Sequence, residues 1–455
     1  MSSSLLIENG RVITLDDDDR SLRPGWIYVQ DDQIEAIGEG DAPRSTTGSD
    51  ITIDVGGDVV MPGMVNAHTH LFQTFARGTG DDVPLLEWVE KAILPITTHL
   101  TADDVRAAAT VGLIENVRSG ATSVLEHQYV RGDGGVDQAI CQAALEVGSR
   151  MVLARGWTDI IEFDVYRETI AEFEAGTRDL YEHWDGAEGR ITIETGPLVP
   201  WGCSDEGMVA SRSLAAELGC GIHIHVAETD AEVALGVERN GLRDIEWLSE
   251  IGALGPTTQL AHAVWINEHE LELIADSGAT VVHCPVSNMY LASGVAPIVE
   301  MLERDITVAL GTDGSGSNNS QDMFESMKTA VLLQKVHRLD ATAIGPAEVL
   351  RMACRGGAAA MGASDRLGTL AEGRLADIVV VDLATAFSTP VHNTYSALVF
   401  NASSRDVRTV IVGGRVILRD GQLTTLDEQQ ALADATATCK DLFTRAGLQS
   451  EVNRP

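Results

Sequence analysis

The 455-residue sequence predicts an α/β protein: a (β/α)8 barrel with a small β-sandwich domain built from both chain ends. Three observations predict it. Eight short, apolar, β-branched runs alternate with helix-like segments after about residue 62. The turn-rich β texture of the first 60 residues returns after residue 373. Histidines and an aspartate recur at the C-terminal ends of several runs, the end at which barrel sites form.

Taken in order, 5–14 and 26–37 show β-type patterns broken by turn residues, and with their surroundings make the first part of the sandwich, 1–61. The barrel is expected over 62–368. Its first strand leads into His68. Thr101-Ala-Asp-Asp104 fits a T-x-x-D helix start, with apolar spacing through Val111, Ile114 and Val117 and a stop near Gly120. Further strands are expected at 121–126, 150–154, 191–195, 221–227, 259–261, 280–284 and 307–310. The runs 373–382 and 407–417 return to strand patterns and supply the second part of the sandwich, 369–425. A closing helix and tail occupy 426–455.

Composition bounds the function. With 32 basic and 68 acidic residues, the formal charge is −36, so the surface repels nucleic acid and anionic membranes. Acids are spread along the chain, a pattern expected of a protein from a salt-loving organism, where ions screen self-repulsion. No apolar run reaches the length of a membrane span, and the N-terminus lacks the pattern of a signal peptide. Six cysteines without C-x-x-C spacing are expected as reduced thiols of a cytoplasmic protein.

The chemistry begins in Met61-Pro-Gly-Met-Val-Asn-Ala-His-Thr-His70. On a strand, His68 and His70 share one face and offer two imidazoles side by side. Ile222-His-Ile-His225-Val-Ala-Glu228, Leu260-Ala-His262 and Gly311-Thr-Asp313-Gly each end an apolar run, so their polar residues reach the same end of the barrel. Three neutral imidazoles and a carboxylate suit Zn2+, and would accept Fe2+. Such an ion makes water a nucleophile near neutral pH.

On these motifs, together with Gly311-Thr-Asp-Gly-Ser-Gly-Ser-Asn-Asn319, the chain resembles the amidohydrolase superfamily over its whole length. Within it the chain is similar to the aminohydrolase branch, which deaminates nucleobases, nucleosides and triazines. The resemblance implies that His68, His70, His225 and Asp313 bind one metal. It implies that Glu228 shuttles protons and that His262 polarises or orients the attacking water. Deamination also requires those proton transfers on chemical grounds, and zinc deaminases of another fold give them to a glutamate outside the metal shell. Asp313 can take the first proton from water. Two-metal relatives bridge their ions with a carboxylated lysine on a middle strand. Here Lys91, Lys328 and Lys335 fall in helix-like segments, Lys440 lies beyond the barrel, and the fourth strand carries Glu194, so one metal is expected.

The stretch Asp81-Asp-Val-Pro-Leu-Leu-Glu87-Trp88 resembles S-adenosylhomocysteine/5′-methylthioadenosine deaminases, which implies a ribose contact for Glu87. Arg155 and Arg167 match the two arginines that hold the amino-acid tail there. The stretch 283–297 is expected to line the mouth. One departure stands out: Gly196-Pro197-Leu198 puts a leucine where nucleoside deaminases carry a histidine against the purine. Glu126-His127-Gln128-Tyr129 also resembles deaminases of 8-oxoguanine or triazines. The expected enzyme is therefore a metal-dependent hydrolytic deaminase of a small molecule. An adenine nucleoside leads as substrate, with free purines or triazines as alternatives. Related barrels often self-associate; the sequence fixes no symmetry.

Overall fold

The structure, a computed structural model, describes residues 3–448 except 44, 45, 47, 133 and 162; the expected tail past 448 lies outside the described residues. Eight strands pair in parallel in chain order: β1 (Met64–Thr69), β2 (Ala121–Gln128), β3 (Arg150–Trp157), β4 (Ile191–Pro197), β5 (Ile222–Val226), β6 (Thr258–His262), β7 (Thr280–His283) and β8 (Val308–Leu310). Each is almost wholly buried, which is why its run reads as continuously apolar. The eighth strand returns to the first, where the Asp313 N–H donates to the His68 carbonyl at 2.9 Å. Gly311 permits that approach: a Cβ there would sit 2.8 Å from the Cβ of His68.

Helices cover the barrel as the sequence predicts. The helix Ala102–Arg118 starts at a capping box, with the Asp104 carboxylate accepting from the Thr101 N–H at 2.8 Å. It buries Val105, Ala108, Leu113, Ile114 and Val117, while Val111 is only half-buried. The closing helix Glu428–Arg445 docks on it through an Arg118–Glu428 ion pair.

The small β-domain is built from both chain ends, as the sequence predicts. Its nine strands are hydrogen-bonded as one continuous sheet. The join between chain ends is Val59–Pro62 running antiparallel to Ile378–Val381, in the register Val59 to Val381 and Pro62 to Ile378. Residues from both ends, among them Ile7, Ile27, Val60, Ile378 and Ile411, share a core separate from that of the barrel. This pairing anchors the segment that leads directly into β1, and so places His68 and His70. No helix among the described residues is long and apolar enough to cross a membrane.

Candidate metal centre and the cleft above it

The strand ends converge as their periodicity requires. His68 and His70 at the end of β1 and His225 on β5 bring ring nitrogens within 4.8 Å of one another. The His70 and His225 Nε2 atoms lie 3.2 Å apart. Asp313 follows β8 and places Oδ1 3.4 Å from His68 Nε2 and 3.2 Å from His70 Nε2. Both Asp313 (φ 61) and His262 (φ 71) hold left-handed backbone. That conformation costs about 1–3 kcal/mol at a non-glycine residue and turns the strand end into the site.

The hydrogen bonds of the far nitrogens fix how each ring faces. His70 Nδ1 lies 2.7 Å from the His127 carbonyl and His225 Nδ1 2.8 Å from that of Leu198. A carbonyl only accepts, so each Nδ1 carries the hydrogen and each Nε2 keeps its lone pair for the centre. Burial pushes the His68 ring down to about 3 and the His225 ring well below its usual range, so both stay neutral. Burial alone would raise Asp313, but its close contacts with the His68 and His70 rings hold it well below the usual carboxylate range. Its Oδ2 accepts from Ser287 at 2.6 Å and Ser317 at 2.7 Å, leaving Oδ1 for the centre.

This donor set fits a divalent cation. Two ligands on one tetrahedral ion, each with an arm of about 2.0–2.1 Å, stand about 3.3–3.4 Å apart. The contacts of 3.2–3.4 Å match that edge. His68 Nε2 is buried and has no hydrogen-bond partner, because its contact with Asp313 is long and poorly aimed. An orphaned nitrogen beside an ionised carboxylate is what a cation would satisfy.

Beside this cluster stand Glu228 and His262. The His262 ring stacks on His225, 5.5 Å between centroids, and its Nε2 lies 3.4 Å from Glu228 Oε2. Its Nδ1 is 2.9 Å from Asn288 Oδ1. Glu228 accepts from Ser293 at 3.0 Å. Burial, reinforced by the nearby charge of Asp313, pushes its carboxyl up to about 8. Ser287, Asn288 and Ser293 were not singled out from sequence, although the stretch 283–297 that carries them was.

These residues floor a cleft of about 240 Å3. Its walls are Leu85, Leu86, Trp88, Val89, Ile161, Phe163, Tyr166, Leu198, Trp201 and Leu291, and its described lining has no lysine or arginine. A larger groove, about 1060 Å3, opens at the start of β8 and is lined by none of His68, His70, His225 and Asp313.

The three substrate contacts expected from sequence are not brought there. Glu87 pairs with Lys91 and is partly exposed, while Glu90, on the π-helical turn Val89–Ile93, reaches the lining instead. Arg155 is 6% exposed and grips Glu168 through two bonds of 2.8 and 2.9 Å, with Asp137 at 3.3 Å. Strand parity explains this: Ala154 sits opposite the inward His127, so Arg155 turns out against Gly176 of the helix Ile170–Trp184. Arg167 pairs with Asp164 at 3.0 Å on the surface.

The model of the Amidohydrolase family matches residues 59–417, which span the barrel and the strand pairs flanking it. The chain belongs to the amidohydrolase family. This amidohydrolase is 38% identical to a 5′-deoxyadenosine deaminase of Methanosarcina mazei, over 97% of the chain and 99% of that protein. It is 38% identical to a 5-methylthioadenosine/S-adenosylhomocysteine deaminase of Syntrophobacter fumaroxidans, over 94% and 96%. Among solved structures, an adenosine deaminase from Xanthomonas campestris with bound zinc superposes with a TM-score of 0.91 at 31% identity, over 97% and 99% of the chains. The atrazine chlorohydrolase TrzN of Arthrobacter aurescens, with zinc, gives 0.90 at 27%, over 96% and 100%.

Proposed function

We propose that this amidohydrolase hydrolytically deaminates an adenine nucleoside whose 5′ substituent is small and uncharged. The carrying observation is the grouping of three imidazoles and Asp313 with the buried carboxyl of Glu228 at the floor of a largely apolar cleft. The Methanosarcina and Syntrophobacter relatives are named for deaminating adenine nucleosides, and the lack of a cation in the described lining favours an uncharged tail over an amino-acid tail.

His68, His70, His225 and Asp313 would hold one divalent ion, Zn2+ by the match of donors and by the zinc-bound neighbour, with Fe2+ as the alternative. Bound there, it supplies the Lewis acidity that lets water act as a nucleophile near neutral pH. The chain does the rest. Asp313, ionised and with Oδ2 already bonded to two serines, takes a proton from water at Oδ1. Glu228 carries its proton at neutral pH and gives it to the ring nitrogen next to the amino-bearing carbon. It then takes the proton of the newly added hydroxyl and passes it to the departing amino group, which leaves as ammonia, while the proton held by Asp313 returns to Glu228. His262, fixed by Asn288 and facing Glu228, orients the water. Leu198, Phe163 and Trp201 exclude solvent from the ring.

The acid excess supports a protein working in high salt, and six free cysteines support a reducing, cytoplasmic setting. The test is ammonia release, in high salt with Zn2+ or Fe2+, from 5′-deoxyadenosine, 5′-methylthioadenosine, S-adenosylhomocysteine, guanine and an aminotriazine. Turnover confined to the free bases or the triazine refutes the nucleoside reading. A preference for S-adenosylhomocysteine refutes the uncharged tail.

A further inference from the structure

Beneath the metal centre lies a histidine that the reaction above does not use. His223 shares the inward face of β5 with His225, one layer deeper in the barrel, and is fully buried. Its Nε2 lies 2.7 Å from His68 Nδ1, with the two rings stacked 4.9 Å apart. Its own Nδ1 has no hydrogen-bond partner. Barrel interiors are ordinarily filled by branched aliphatic residues, and a buried imidazole with one unmet nitrogen costs stability. Such a residue is poor packing and needs another reason to be there.

The other two imidazole ligands supply the comparison. His70 and His225 are each aimed by a main-chain carbonyl, which no substitution removes. The far nitrogen of His68 meets His223 instead. For His68 to offer its Nε2 lone pair to a cation, its Nδ1 must carry the hydrogen, and His223 Nε2 is the atom in reach to accept it. We infer that His223 is a positioning residue which holds the His68 ring and tautomer for metal binding. The inference rests on the metal-centre reading above.

A second reading of the same rings fails on distance. His68, His127 and His223 also bring ring nitrogens within 4.8 Å, close enough to suggest a deeper ion. Yet the 2.7 Å between His68 and His223 is a hydrogen-bond length, shorter than the roughly 3.3 Å between two ligands of one tetrahedral ion. The opposite polarity, with His223 donating, would leave the hydrogen of His68 on Nε2, against the ion.

The test titrates Zn2+ into metal-free full-length protein against a chromophoric chelator, with bound metal counted by elemental analysis. Wild type should bind one tight equivalent. His223→Leu, which fills the space without an acceptor, should bind about 10–100-fold more weakly, with the far-UV spectrum of the metal-free protein unchanged. His223→Gln can place its amide oxygen near the lost Nε2, and should return to within about threefold of wild type. Equal affinity for wild type and His223→Leu overturns the inference. So does a glutamine variant as weak as the leucine one, which would make the role packing. A second tight equivalent lost in His223→Leu overturns it in favour of direct ligation. If wild type binds no tight Zn2+ while His68→Ala behaves identically, the metal centre itself is wrong.

Discussion

Glu228 is placed where catalysis and stability oppose each other, and replacing it with glutamine separates the two. Its carboxyl is pushed from about 4.5 to about 8 by burial first and by the charge of Asp313 second. A carboxyl raised on folding stabilises fully below its unfolded pKa, and that contribution is lost as pH climbs through the folded value. Each unit of displacement is worth about 1.4 kcal/mol. Relative to a residue that stays neutral, Glu228 therefore costs the metal-free protein about 2 kcal/mol at pH 6 and about 5 kcal/mol at pH 9. Glutamine is neutral at every pH and can still accept from Ser293, so Glu228→Gln should stabilise the metal-free protein by those amounts. The assay is denaturant unfolding of metal-free wild type and variant between pH 5 and 9, reading the difference. Turnover should fall about 10²–10⁴-fold while metal content holds, because the proton carrier is gone. A stability difference that does not change with pH refutes the buried, protonated acid. Full turnover refutes its role as shuttle.

Three further outcomes follow from the same geometry. His225→Ala should lower metal content together with activity, and unchanged occupancy by elemental analysis would contradict ligation. Asn288→Leu should release His262 Nδ1 and lower kcat about tenfold, the worth of one hydrogen bond, with metal content and KM little altered; an unchanged kcat removes Asn288 from the orienting chain. Arg155→Met should destabilise the fold by about 1.5–3 kcal/mol in denaturant, because it removes both hydrogen bonds to Glu168 and leaves Glu168 and Asp137 to Arg131 alone. It should leave the ratio of turnover on charged and uncharged 5′ tails as it was, and a selective loss on S-adenosylhomocysteine would restore the tail-binding role.

The uneven legibility of this chain has a physical cause. His68, His70, His225 and Asp313 could be read from the sequence because a strand has period two and a barrel gathers its strand ends at one face. Those rules act locally and on every strand alike, so spacing brings these residues to one end of the barrel, while the resemblance to the amidohydrolase superfamily marks the four as a ligand set. Glu87, Arg155 and Arg167 depended on something spacing does not carry, namely which partner a long charged side chain finds. Arg155 is one residue out of phase with the inward face of β3, and Glu168 meets it from the chain that follows. At the turn after β1, a π-helical step over Val89–Ile93 leaves Glu87 with Lys91 and brings Glu90 to the cleft. The strand pairing that joins the chain ends has the same origin, since Val59–Pro62 and Ile378–Val381 lie more than half the chain apart.

The residues that sequence reading passed over, Ser287, Asn288, Ser293 and His223, are the ones that hold other side chains rather than meet a substrate. Asp313, His262 and Glu228 depend on the first three for their orientation. A hydroxyl or amide in that role carries no periodic signal, because its value comes from a single oxygen placed within 3 Å of a partner far along the chain. His223 is the exception that motif could have flagged. It stands two residues before His225, on the same face of the same strand, and a second inward histidine there has no cheaper reason to be buried than the ring it touches.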